Sequence, residues 1–226
     1  MPKPQNDWND LVINLLIAEL LNYSRNILVL TLIKDFLAWM RISKMPLLAS
    51  SIQLRITWAS SFFLNGLGGT GKTFVYNTVC AKLRSDGAIV LCVSPSGISA
   101  LLLQGGWTVH SMFKIPVQNL YEESFCSIPK NSQHADLLQV TKVIIWDEIG
   151  AQHRYVVEAL DCTLQDICDD SWLLGGITTI LGGNFLQTLP VVSQGSRVDI
   201  VDATIQCSHL WEHVEVLSLH QNMRLE

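Results

Sequence analysis

The chain is poor in the features that would assign it quickly to several large protein classes. Its six cysteines, at positions 80, 92, 126, 162, 168 and 207, include no C-x-x-C pair and no paired His/Cys spacing, so neither a zinc site nor a disulfide framework is indicated. Buried, reduced thiols in an intracellular protein are expected instead. His134, His153, His209, His213 and His220 show no metal-ligand grouping. Long apolar runs are also missing. Glu19, Arg25 and Lys34 break up the greasy N-terminal stretch and leave uncharged runs of about eight residues, where a bilayer span needs roughly twenty. No membrane helix is expected, and Asp7 and Asp10 with no clean small-residue cleavage site argue against a signal peptide. Basic charge is not in excess: 15 Lys and Arg stand against 20 Asp and Glu, a net charge of −5. Nucleic-acid binding is therefore not a bulk property, and any such site has to be a local groove.

What the chain does have is apolar residues, 49% of 226, enough to bury the core of one good-sized domain with an appendage. From 9 to 40 the apolar clusters recur at spacings near three or four, which suits amphipathic helices; 41–58 shows no clear period. From Ser60 the pattern becomes regular. A strand over 60–64, a glycine-rich turn, a helix over 72–84 and a strand over 88–93 form a βαβ unit, and further apolar β-branched runs follow at 142–146 and 177–181. Near-continuous apolar strands alternating with helices predict an α/β fold, a mostly parallel sheet covered on both faces. The segment 114–136, with Pro116, Pro129 and a polar cluster at 130–133, reads as a surface insertion.

The first strand runs into Gly66-Leu67-Gly68-Gly69-Thr70-Gly71-Lys72-Thr73, a complete G-x-x-x-x-G-K-[ST] phosphate-binding loop. Its chemistry demands these residue types. Glycines let successive backbone N–H groups turn toward phosphate oxygens, Lys72 reaches the β- and γ-phosphates, and the Thr73 hydroxyl ligates Mg²⁺. A nucleoside triphosphate with Mg²⁺ is the expected ligand pair, with Gly66, Gly68, Gly69, Thr70, Gly71, Lys72 and Thr73 as its binding residues. The fold class is accordingly a P-loop NTPase.

In parallel sheets ligands gather beyond the carboxyl ends of the strands, so the polar residues that end the apolar runs matter most. Asp147 and Glu148 end the 142–146 run: the first is expected on Mg²⁺, the second on the attacking water. Gln187, in the segment after the 177–181 run, is placed to contact the γ-phosphate. Arg224 is a candidate to supply positive charge to the transition state, although on the bare sequence a terminal surface arginine is the commoner reading. Trp107 and His110, near Ser96 and Gly97, are candidates to offer an aromatic face and hydroxyls to a single strand, although a packed tryptophan and a structural histidine are the more frequent outcome.

Taken in order, these segments resemble the Pif-type (petite integration frequency) family of ATP-dependent DNA helicases, in particular its helitron-associated branch. Phe62 to Phe74 resembles the family's phosphate loop. Ser94 to Leu103 with Gly106 to Ser111 resembles its strand-contacting motif, and Ile145 to Glu148 its Mg²⁺ motif. Gly182 to Val191 resembles the glutamine sensor, and Leu219 to Leu225 the segment that carries an arginine at the nucleotide cleft. The resemblance implies a RecA-like domain that binds ATP and Mg²⁺, hydrolyses ATP and uses it to unwind DNA in the 5′-to-3′ sense, with single-stranded DNA as partner and no membrane. Lys72, Glu148, Gln187 and Arg224 would be the catalytic residues, and Thr73 and Asp147 the metal ligands. It further implies a setting in DNA repair, recombination or telomere maintenance, in the nucleus of a eukaryote.

Two departures stand out. Asn184 occupies a position where the family usually has aspartate, and the glutamine motif that should contact adenine is not recognisable between 35 and 58. Residues 18–26 faintly resemble a segment upstream of the helicase core. The organisation expected is a helical segment over 1–58 and a first RecA-like domain over 59–226, with the second RecA-like domain missing. Two other readings remain: a catalytically weak nucleotide-binding remnant that acts as a DNA- or partner-binding module, and a GTPase. Asp147-Glu148-Ile149-Gly150 satisfies the D-x-x-G pattern of the latter, but no Asn-Lys-x-Asp segment accompanies it.

Overall fold

The computed structural model describes residues 61–117, 120–220 and 222. The expected N-terminal helices, the segment 1–58 and Arg224 lie outside the described residues.

Among the described residues six strands make one sheet. β1 (Ser61–Gly66) leads through the glycine-rich loop into helix α1 (Lys72–Ser85), which returns to β2 (Ile89–Ser94). After the single turn α2 (Gly97–Ala100) come β3 (Gly106–Thr108), the short helix α3 (Val109–Phe113) and helix α4 (Gln133–Val140). β4 (Thr141–Trp146), α5 (Arg154–Cys168), β5 (Thr178–Gly183), α6 (Arg197–Asp202) and β6 (Val214–Leu219) complete the order. The strands lie in the order β3-β2-β4-β5-β1-β6, and every pair is parallel.

The strands are apolar throughout because both faces of the sheet are covered. Phe63, Leu91, Val93, Ile144, Trp146 and Leu181 point to one face, where α3, α4 and α5 pack on them. Phe62, Leu64, Val90, Val143, Ile145 and Ile180 point to the other, where Val75, Tyr76 and Cys80 of α1 meet them. Successive strand residues alternate between two cores, so neither set can become polar without opening one of them. Trp146 is fully buried and its ring lies 6.2 Å from that of Phe113. On the α1 side the buried Arg84 donates to Val90 O (2.8 Å) and Gln104 O (3.0 Å), tying the end of α1 to β2 and to the approach to β3.

Three details differ from the sequence expectations. The segment 114–136 is pinned rather than superficial: Ile115, Cys126 and Ile128 are buried in the core, and Cys126 N donates to Thr163 Oγ1 at 2.8 Å. Its prolines and polar cluster mark the turns, while the apolar residues between them pack inward. Only Cys80, Cys92 and Cys126 are buried among the cysteines; Cys207 is exposed. Strands β3 and β6 are additional. They are the sheet's edges, and the exposure of Glu215 and Val216 in β6 removes the unbroken apolar run by which a central strand is known.

Candidate nucleotide-binding site

The sheet order sets the site. β5 lies between β1 and β4, with Leu64 level with Gly182 and Trp146 level with Leu181, so the segments leaving these three strands emerge side by side. They enclose a cavity of about 430 Å³. It is lined by Gly68, Gly69, Gly71, Lys72 and Thr73 from the first segment, Asp147 and Glu148 from the second, Gly183, Asn184, Gln187 and Thr188 from the third, and Leu102. Two roomier hollows of about 550 Å³ lie elsewhere, but neither gathers such a set of groups.

The loop folds by backbone necessity. Gly69 (φ 87°) and Gly71 (φ 85°) adopt the left-handed region that side chains disfavour. Gly71 caps α1 with no side-chain hydrogen bond, and the N-terminal end of the helix, with Lys72 and Thr73, lines the cavity. Gly66 and Thr70 do not line the cavity. A Cβ at Gly66 would stand 2.5 Å from Thr70 Oγ1, and that buried hydroxyl donates to Leu67 O at 2.8 Å. These two residues shape the loop from within.

The Lys72 ammonium folds back to donate to the carbonyls of Gly66 and Leu67. Burial lowers its pKa, and Asp147 and Glu148 pull the other way. Asp147 is buried; its N–H donates to Val93 O (3.0 Å) and its Oδ1 accepts the Glu148 N–H (2.9 Å). Burial raises the Asp147 pKa, and that hydrogen bond opposes the rise. Glu148 is exposed and takes φ 54°, a left-handed backbone rare for a residue with a side chain and typical of functional sites. Thr73 and Asp147 together offer oxygen donors of the kind Mg²⁺ takes. Among the described residues no group of three His, Cys, Asp or Glu gathers to hold a metal without further ligands.

The third segment is held by an anchor and a turn. Phe185 stacks on Phe63 of β1 (4.9 Å, 21°) and meets the edge of Trp211 (5.6 Å), which fixes the segment to the core. Asn184 is buried; its Oδ1 accepts the Leu186 N–H (3.0 Å) and its carbonyl accepts the Gln187 N–H (3.0 Å). An aspartate would accept the first bond equally well, but Asn184 brings a neutral amide whose Nδ2 has no hydrogen-bond partner. Gln187 is exposed, and its Nε2 reaches across Gly68: a Cβ there would stand 3.2 Å from it.

Of the residues anticipated from the sequence, Lys72, Thr73, Asp147, Glu148 and Gln187 come together. Reasoning from sequence passed over Tyr76 and Asn77. Tyr76 is fully buried one helical turn after Lys72, against Asp147, and burial raises its pKa well above the usual phenol range, with Asp147 adding to the rise. Asn77 donates to Leu102 O (3.1 Å) and accepts the Gln104 N–H (3.0 Å), which places Leu102 at the mouth of the cavity. The one signal available was their place in the first turns of the helix behind a phosphate loop. His110 faces a different hollow, shared with Gln152 and Val192, and Trp107 packs against the core. Exposed Ile98 and Leu101 stand beyond the end of β2, above the hydrogen-bonded hydroxyls of Ser94, Ser96 and Ser99.

Comparison with known proteins agrees with this geometry. The family model described as PIF1-like helicase matches residues 50–226. The chain is 31% identical over 134 residues to the ATP-dependent DNA helicase Pif1 of Psychrobacter sp. (strain PRwf-1), covering 59% of this chain and 20% of that protein. It is 26% identical over 166 residues to the ATP-dependent DNA helicase RRM3 of Saccharomyces cerevisiae, covering 71% and 22%. Among solved structures, Bacteroides Pif1 bound to ssDNA superposes with a TM-score of 0.68 at 21% identity over 80% of this chain and 42% of that one. Pif1 helicase from Candida albicans gives 0.66 at 21% identity over 80% and 40%. The chain spans about a fifth of the length of these curated relatives. With the family model matched over most of its length, the chain belongs to the PIF1-like helicase family.

Proposed function

We propose that residues 59–226 form the first RecA-like domain of an ATP-dependent DNA helicase and that the 430 Å³ cavity binds Mg²⁺ and ATP. The observation that carries this reading is the convergence, on three neighbouring strand ends, of a glycine-rich loop with its lysine, a buried carboxylate, an exposed carboxylate and a glutamine. In this assignment the loop amides and Lys72 hold the phosphates. Thr73 and Asp147 would hold Mg²⁺, which supplies charge neutralisation at the β- and γ-phosphates. Glu148 orients and deprotonates the attacking water. Gln187 touches the γ-phosphate and reports whether it is still attached, and Arg224 completes the cleft.

Relatives bearing helicase names support coupling of this hydrolysis to DNA unwinding, with 5′-to-3′ polarity and a role in repair, recombination or telomere maintenance as the family reading. The Bacteroides Pif1 structure was obtained with ssDNA. In our chain the exposed end of β2, with Ile98 and Leu101, is the surface assigned to the single strand, acting where DNA is. The likeness of the motif segments to the helitron-associated branch belongs to the same proposal. A second reading, a nucleotide-binding module with weak hydrolysis, is favoured by one observation, the neutral Asn184 in place of the family's aspartate.

Calorimetry with ATP and Mg²⁺ tests the site. Lys72→Ala is expected to weaken binding about 100-fold, because each hydrogen bond to a charged group contributes about 1.5–3 kcal/mol and a tenfold change in affinity corresponds to about 1.4 kcal/mol. Equal affinity for folded wild type and Lys72→Ala overturns the reading.

A further inference from the structure

The feature left unexplained by these roles is a buried hydroxyl. Tyr76 has no exposure, and its Oη lies against the Asp147 carboxylate just short of good hydrogen-bond geometry, with no other partner. Buried hydroxyls are nearly always bonded, and one that is not demands a reason. The surroundings show that the placement is built. A Cβ at Gly182 would stand 1.6 Å from Tyr76 Oη and 3.3 Å from Asp147 Oδ1, so only glycine at the end of β5 admits the phenol to this spot. The ring itself is part of the α1-side core, packed with Val75, Cys80 and Ile180, so it cannot swing away to find water. A rigid donor is thus held against the one buried carboxylate of the cleft, on a helix whose first residue is Lys72.

We propose, resting on the nucleotide-site reading above, that Tyr76 is a positioning residue: its hydroxyl orients the Asp147 carboxylate toward the bound cation. Asp147 Oδ1 already accepts the Glu148 N–H. A second donor, the Tyr76 hydroxyl, restricts the rotation left to the carboxylate and favours one orientation of its oxygens toward the cavity. Ligating carboxylates are commonly held in this way, and loss of such a partner typically costs 10–100-fold in metal affinity. Gly182 acquires a reason as well, since its missing side chain is the space the hydroxyl occupies.

The test is Tyr76→Phe, which keeps the ring and removes only the oxygen. Binding of a fluorescent, non-hydrolysable ATP analogue is followed as Mg²⁺ is titrated, and thermal unfolding is recorded without ligand. The Mg²⁺ midpoint is expected to rise about tenfold, with analogue affinity in the absence of Mg²⁺ unchanged and the protein still folding cooperatively. An unchanged Mg²⁺ midpoint in folded Tyr76→Phe overturns the proposal. So does a fall in analogue affinity without Mg²⁺ that equals the fall with it, which would mark the hydroxyl as merely structural. If wild type shows no Mg²⁺-dependent binding, the nucleotide-site reading itself fails, and that outcome is separate from the other two. Gly182→Ala gives an independent check, since crowding Tyr76 should raise the Mg²⁺ midpoint at least as far. A folded Gly182→Ala protein with a wild-type midpoint also counts against the proposal.

Discussion

Asp147 and Glu148 are adjacent in the chain and opposite in setting. Asp147 is buried at the foot of the cleft, bonded by the Glu148 N–H, with its own N–H bonded to β2. Glu148 stands in solvent on a left-handed backbone. The contrast extends across the cavity. The floor, with Lys72 and Asp147 backed by the buried Tyr76, grows out of the sheet and α1, and packing behind it holds its geometry. The rim, with Glu148, Gln187, Leu102 and Leu186, is exposed. The floor therefore has what binding needs, fixed groups at fixed depth, while the rim has what hydrolysis needs, groups that must meet water and the γ-phosphate in a closed cleft.

The comparison breaks if floor and rim variants have the same effects. Glu148→Gln should give the largest separation: hydrolysis lower by about 10²–10⁴-fold, the usual range for a lost general base, with Mg²⁺·ATP affinity little changed. Loss of binding in a phosphate-release assay paired with calorimetry would move Glu148 to the floor. Gln187→Ala should be milder, about a tenfold loss of turnover with affinity within about threefold, because its exposed amide lies over Gly68 at the rim of the cavity.

The smallest effect sharpens the account of the floor and concerns stability. Burial holds the Asp147 carboxyl above its ordinary pKa, so the folded protein keeps that proton to higher pH than the unfolded chain does. Stability is lost as pH rises from the ordinary carboxyl range through the raised value. Asp147→Asn removes the desolvated charge, so the nucleotide-free protein should melt higher at pH 7, by about 2–4 °C for each kcal/mol regained. The gain should shrink below about pH 4, where both states are protonated. Calorimetric melting at the two pH values measures it. A lower Tm at pH 7 would mean that the interactions of the charged Asp147 carboxylate outweigh its desolvation.

The phosphate loop, the α1 helix, the four central strands and the acid pair were legible because each is local. A glycine pattern dictates a backbone, and a run of apolar β-branched residues dictates a strand buried on both faces. The edges β3 and β6 were not legible, since strands half open to solvent lack that run. Nor was the packing of the 114–136 segment, where proline and polar residues marked turns but not the burial of Ile115, Cys126 and Ile128 between them.

By itself, then, the order of residues determined which groups are available: a loop that can wrap phosphate, a lysine, two acids, a glutamine, and an asparagine in place of the family's aspartate. Only the tertiary structure decided their depth and neighbours. The insertion of β5 between β1 and β4 brings three distant segments to one cavity. It also sets Gly182, more than a hundred residues beyond Tyr76 in the chain, at the one place where a missing Cβ makes room for a hydroxyl beside Asp147. That juxtaposition has no trace in local periodicity, because it is fixed by strand register and by the steric exclusion of every larger side chain.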